Sequence, residues 1–173
     1  MAARQDFDVN VDPVEIANRL GVVVPPDHNT SDLRQLGVTN IRFDPNVNSW
    51  GIAPTRSKLN SLLAETASLE CQFEPIETFE DWEFADRLVA LAKSARHPIV
   101  GFEYRSLFGG IALPSEGHCA VVNGAQTRTS RILIEIYDPD AHGSRSQIVD
   151  PASLYVACRK KRGGIWLLIP TKS

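Results

Sequence analysis

The chain has 173 residues, 43% of them hydrophobic and 23% charged, which fits a globular domain with an ordinary core and argues against disorder. Its net charge is −3, with Lys and Arg scattered except in residues 159–162, and this argues against nucleic acid as a partner. No apolar run approaches the roughly 20 residues of a bilayer span, and no charged segment leads into an apolar one at the N-terminus. A cytoplasmic protein with no membrane span is therefore expected.

The first ten residues carry no periodic pattern and are expected to fray. Asp12 then reads as an N-cap, Pro13 as the first helical residue and Glu15 as its capping-box partner, with Gly21 closing a short helix after Leu20. Residues 22–26 end in two prolines, which stop any continuation. Thr30 or Ser31 caps a further turn through Leu33 and Leu36, closed by Gly37. Residues 38–54 read as a long loop with one strand at 40–43. Leu59, Leu62, Leu63 and Ala67 share one face of a helix that begins near Thr55. Residues 69–76 alternate, with Leu69, Cys71 and Phe73 against Glu70, Gln72 and Glu74, as in a half-buried strand.

Thr78, with Asp81 three residues on, caps a longer helix through Ser94. Its apolar face is Phe79, Trp82, Ala85, Leu88, Val89 and Ala92, and its charges complement the helix dipole at both ends. From His97 the pattern turns to strands: residues 97–104, a loop at Gly109 and Gly110, then 117–122 and 131–137, joined as a hairpin across 123–130. Asp150 and Pro151 open one more helix, which ends in the cations of residues 159–162 and stops at Gly163. Residues 165–169 form a final apolar strand. The fold class is α+β in a single domain, with a mainly helical part over residues 1–95 packed on a mainly antiparallel sheet over residues 96–173.

Cys71, Cys119 and Cys158 are odd in number and widely spaced, unlike a disulfide framework. His118 and Cys119 are neighbours on a strand and point to opposite faces, so they do not readily ligate one metal. Asp138, Asp140 and His142 lack the further ligands and glycine spacing of a calcium loop and read as a polar turn. No cofactor is expected. The cations at 159–162 read as a helix end with a solvated face, and Trp50, Trp82 and Trp166 as core or cleft aromatics.

Residues 96–170 run through HPIVGF, a glycine-containing loop, GHCAVVNG, ILIEIYDP, DPASLYVAC and GGIWLLIP. This order resembles the back half of papain-like cysteine peptidases, in particular the bacteriocin-processing type that cuts double-glycine leaders. In that family one strand supplies a general-base histidine, and the next ends in Asp-Pro, whose aspartate orients the imidazole. The resemblance implies a papain-like fold with His118 as the base and Asp138 as its orienting carboxylate. The pairing is also sound chemistry. A histidine just after Gly117 stands at the sheet margin, and a carboxylate at the end of the adjacent strand can accept from the ring's Nδ1–H and fix its tautomer.

The same family places its nucleophilic cysteine at the N-terminus of a front helix, preceded by a glutamine, where the dipole and backbone N–H groups favour a thiolate. The first seventy residues here contain no cysteine, and Gln5 stands upstream without one. Cys71 alone precedes His118 and keeps the order nucleophile, histidine, aspartate, yet it shares a face with Leu69 and Phe73 as a core cysteine does. Cys119 and Cys158 read as packing residues. The resulting expectation is a peptidase-related domain that binds a peptide or protein ligand and is catalytically incomplete. The alternatives are an active cysteine peptidase or acyltransferase using Cys71, His118 and Asp138, and a structural or interaction subunit of a larger assembly.

Overall fold

The structure, a computed structural model, describes residues 2–47, 51–52, 56–109, 117–128, 131–138 and 145–171. In chain order the elements are α1 (Ala2–Phe7), α2 (Pro13–Leu20), β1 (Val22–Val24), α3 (Ser31–Gln35), β2 (Ile41–Phe43), β3 (Gly51–Ile52), α4 (Arg56–Ala67) and β4 (Leu69–Pro75). A 3-10 turn (Ile76–Thr78) leads to α5 (Asp81–Lys93), β5 (Ile99–Glu103), α6 (Tyr104–Phe108), β6 (Gly117–Arg128), β7 (Arg131–Tyr137), β8 (Ser146–Val149), α7 (Pro151–Lys160) and β9 (Gly164–Pro170). The fold class is α+β. The chain divides into two compact units, Met1–Phe7 with Gln72–Leu168 and Asp8–Cys71 with Ile169–Ser173. Within the first of these, α5 packs on β6 and α7.

In the unit built on residues 8–71, Asp12 caps α2 by accepting from the Val14 amide at 2.9 Å, and Pro13 occupies the first turn. Gly21, at φ 86°, ends the helix with its N–H on the Ala17 carbonyl. The chain then enters β1, where the sequence showed only a proline stop. Val22 and Val24 are 1% and 0% exposed, and β1 lies between β2, which is parallel to it, and β3, which is antiparallel. A three-residue apolar run buried on both faces has no alternation to reveal it. Ala17, Val22, Val24, Leu33 and Val38 form a small core. Asn18 ties its edge, accepting from Thr39 N–H at 2.7 Å and donating to the Gly37 carbonyl at 3.0 Å.

The other unit is organised around a sheet of order β4-β9-β5-β6-β7-β8. The β9–β5, β5–β6, β6–β7 and β7–β8 pairs are antiparallel. One face carries Val100, Phe102, Ala120, Val122, Ile134, Ile136 and Ile165, each no more than 1% exposed, and α5 and α7 pack against the sheet. The capping signals of α7 hold: Asp150 accepts from the Ser153 amide at 2.9 Å, Pro151 starts the helix, and Gly163 follows its end. α5 starts later than its sequence suggests. Its cap is Glu80, boxed with Glu83, rather than Thr78, and its buried face is Phe84, Leu88 and Leu91. Trp82, two residues before Phe84, lies on the opposite side of the helix from that buried face and is 62% exposed instead of in the core.

Two local devices keep the sheet in phase. At Asn123 the register slips, so that Val122 faces Ile136 and Gly124 faces Glu135. This bulge lets Val122 and Ala125 (the partner of Ile134) share the buried face. At β9, an added Cβ on Gly163 would stand 1.9 Å from the Gly101 carbonyl oxygen, and one on Gly164 would stand 2.3 Å from that of Glu74. Only glycine lets three backbones approach this closely.

The N-terminal segment is also ordered, contrary to the expectation of fraying. A six-residue helix does not sustain itself in water. Here Ala2 and Ala3 are buried, and the Asp6 carboxylate takes both the His97 amide at 3.1 Å and the His97 Nδ1 at 2.5 Å. Arg96 Nε lies 3.4 Å from the same carboxylate and its guanidinium covers the Phe7 ring at 5.0 Å. Contacts some ninety residues away in sequence leave no local signal.

Gly163→Ala and Gly164→Ala are each expected to lower stability by about 3 kcal/mol or more, because backbone rather than side-chain tips must move. Gly117→Ala, whose Cβ meets nothing within 4 Å, should stay within about 0.5 kcal/mol in the same urea titrations. Asp6→Ala is expected to cost about 3 kcal/mol by removing the acceptor of the His97 amide and ring and the counter-charge of Arg96, which keeps its bond to the Leu168 carbonyl, and to open residues 2–10 to proteolysis that spares the parent chain.

Candidate functional site

His118 and Asp138 are brought together by strand register. His118 pairs with Phe102 on β5, and Tyr137 pairs with Val121 on β6, which sets Asp138 diagonally across from His118 on the same face. The Asp138 amide donates to the Arg145 carbonyl at 2.8 Å, fixing the strand end from which the carboxylate projects. Asp138 is 0% exposed and its Oδ1 lies 2.7 Å from His118 Nε2. The expected contact was with Nδ1. A diagonal partner is met by the distal ring nitrogen instead, and in the neutral imidazole this leaves Nδ1 as the acceptor.

The ring is held from the sides as well. Phe102 meets it edge-to-face at 5.6 Å and Tyr104 at 5.2 Å, and Phe108 packs on both of these rings. The His118 side chain is 19% exposed. A partly open imidazole with one nitrogen on a buried carboxylate and its plane set by aromatic neighbours suits a group that accepts or donates one proton at a fixed point. The sequence reading gave these aromatics no role. Tyr104 and Phe108 lie one turn apart on α6, which was itself unforeseen, and only the β5–β6 register carries Phe102 to His118.

The thiols sort by surroundings. Cys119 pairs with Gly101 on the opposite face of the sheet from His118. The residue has an exposed surface, yet desolvation around its sulfur pushes the thiol above its usual range. Cys158, 0% exposed within α7, is pushed up to about 12 by burial and, secondarily, by Cys119. Neither is a thiolate at neutral pH, and nucleophilic cysteines require the opposite shift. Cys71 belongs to the other unit, where it is 4% exposed, and Asn60 clamps its backbone by accepting from its N–H at 2.7 Å and donating to its carbonyl at 3.2 Å. Leu69 is buried beside it in the strand, as the alternation implied. Gln5 donates to Asn123 Oδ1 at 3.3 Å. Asp140, His142, Pro139, Gly110 and Trp50 lie outside the described residues. Among the described residues no group of three or more His, Cys, Asp or Glu is placed to hold a metal ion, and no helix is long and apolar enough to cross a membrane.

The Cys158 shift carries a sign. A thiol raised from 9.0 to about 12 in the fold stabilises it while neutral, so its contribution is complete below pH 9 and is lost as pH rises toward 12. In that window this group is expected to remove up to about 1.4 kcal/mol of stability per pH unit, and Cys158→Ala should flatten the decline in urea midpoints by that amount.

Compared with models of known protein families the chain matches none, and no curated protein matches it in sequence.

Proposed function

We propose that this chain is a papain-like, peptidase-related domain of the cytoplasm that binds a peptide or peptide-like ligand beside His118 and does not complete a catalytic triad. The observation that carries this reading is the His118–Asp138 contact at 2.7 Å on a fully buried carboxylate. The contact supports reading His118 and Asp138 as the general-base half of such a site, carried on two successive strands. The incompleteness rests on the thiols. Cys119 and Cys158 are held in their neutral forms, and Cys71 is buried with its backbone fixed by Asn60. The neutral imidazole offers Nδ1 as an acceptor for a ligand N–H or O–H, and the Tyr104 and Phe102 rings keep that acceptor aimed.

Extended peptides of varied sequence, added to the protein labelled at histidine, are expected to shift the His118 ring resonances in a saturable way. Asp138→Asn, which swaps the anchoring charge for an amide, should weaken binding by about tenfold, in line with loss of one charge-assisted hydrogen bond. The peptides should be recovered uncut. Iodoacetamide at neutral pH is expected to label Cys71 at the same low rate in the parent and in His118→Ala. Rapid labelling of Cys71 that His118→Ala suppresses, together with peptide cleavage, would instead establish a working Cys71, His118 and Asp138 set.

A further inference from the structure

The outer side of α5 and α7 has apolar surface that the fold does not use. Trp82 is 62% exposed and Val156 is 52% exposed. Trp82 stands between two open grooves. One, of about 380 Å³, is lined by Ala85, Ile132 and Ala152 among others, and the second, of about 460 Å³, includes Phe79 and Ala90. On α7, Ala152, Val156 and Lys160 are exposed at successive i, i+4 positions and form one stripe. An apolar strip therefore runs from Trp82 across Ala152 to Val156 and ends in cations.

Its two ends carry opposite charge. Around Trp82 stand Asp81, Asp86 and Asp150, all exposed; of the nearby cations, Arg87 is held by Glu74 through bonds of 3.0 and 2.6 Å, which leaves Arg131 as the exposed cation lining the groove. At the far end stand Arg159, Lys160, Lys161 and Arg162, all exposed; Lys160 lies 3.7 Å from Glu103, whose carboxylate also feels Lys161, and the Arg159 guanidinium lies over the Tyr155 ring at 5.8 Å. From Pro151 to Lys160 the helix rises roughly 14 Å, too far for the cations at its end to reach the Trp82 groove of their own molecule.

We propose that two copies of this chain associate about a two-fold axis along α7, with the helices antiparallel. Val156 then meets its counterpart near the axis, and the cations of each copy meet Trp82 and Asp81 of the other. A stripe with an apolar middle and unlike charges at its ends is complementary to itself only in this orientation, since parallel stacking would place like charges together. Each contact away from the axis occurs twice, as a closed isologous pair requires. Exposed tryptophan beside carboxylates is also a favourable seat for an arginine, whose guanidinium is drawn to the ring face while its charge is compensated.

Sedimentation of the full chain at low salt is expected to show a mass that doubles with rising concentration and a dimer that weakens as salt is added. Val156→Lys and Asp81→Lys should each weaken association at least about tenfold while leaving the thermal melt of the dilute protein unchanged. Adding Arg159→Glu to Asp81→Lys in the same chain should restore the dimer, because the swapped charges again face each other. A monomer at every concentration up to about 1 mM overturns the proposal. So does a dimer that Val156→Lys and Trp82→Ala leave equally strong. A monomer whose Trp82 fluorescence titrates with an octa-arginine peptide also overturns it, and gives the face to a basic segment of another protein.

Discussion

Where β9 slots between β4 and β5, the backbone at Gly163 and Gly164 runs against the carbonyls of Gly101 and Glu74 with no room for a side chain. That fit determines the geometry of the candidate site. It sets the position of β5, and β5 carries Phe102 and Val100 into register with His118 and Ala120 on β6. It also ends α7, since the Gly163 amide closes onto the Cys158 carbonyl at 2.9 Å and Arg162 before it takes φ 48°. The helix that covers the buried face and the strand that orients the imidazole are thus fixed by one crowded crossing. The Ile76 amide on the Gly163 carbonyl at 3.0 Å extends the same constraint to the turn that leads into α5.

What could be read directly from residues were the features whose causes are local. Asp12 and Pro13, or Asp150 and Pro151, announce a helix start because cap and first turn lie within four residues of each other. The bounds of β7 are legible because its ends are marked by Arg131 and by Asp138. The failures share a different cause. β1 is too short and too buried to alternate, β8 is four residues long, and α1 exists only because Asp6 finds His97 and Arg96 far along the chain. In α5 two apolar stripes compete for the core. The stripe through Trp82, Ala85 and Val89 and the stripe through Phe84, Leu88 and Leu91 are both apolar, and packing on β6 and α7 buries the second, which leaves Trp82 on the surface.

The site divides along the same line. Motif order located His118 and Asp138, since each marks a strand end and strand ends are local. Which ring nitrogen meets the carboxylate is decided by a diagonal reach across β6 and β7, and the aromatic enclosure by the β5–β6 register. Neither is written in any one segment. The cysteines follow suit. Alternation placed Cys71 in a buried row, whereas the upward shifts at Cys119 and Cys158 arise from packing that only the folded chain defines.

The central place of β9 sets a schedule for folding. During synthesis β4 and β5 emerge long before residues 164–170, and until those arrive each presents a bare row of amides and carbonyls flanking a gap. The later strands β6, β7 and β8 can zip onto β5 as a meander, but the gap stays open while α7 is made. A nascent chain paused there would be open to pairing with any extended strand nearby. Its most vulnerable period therefore falls just before β9 leaves the ribosome, and holding that slot closed is the help this chain would gain most from a chaperone.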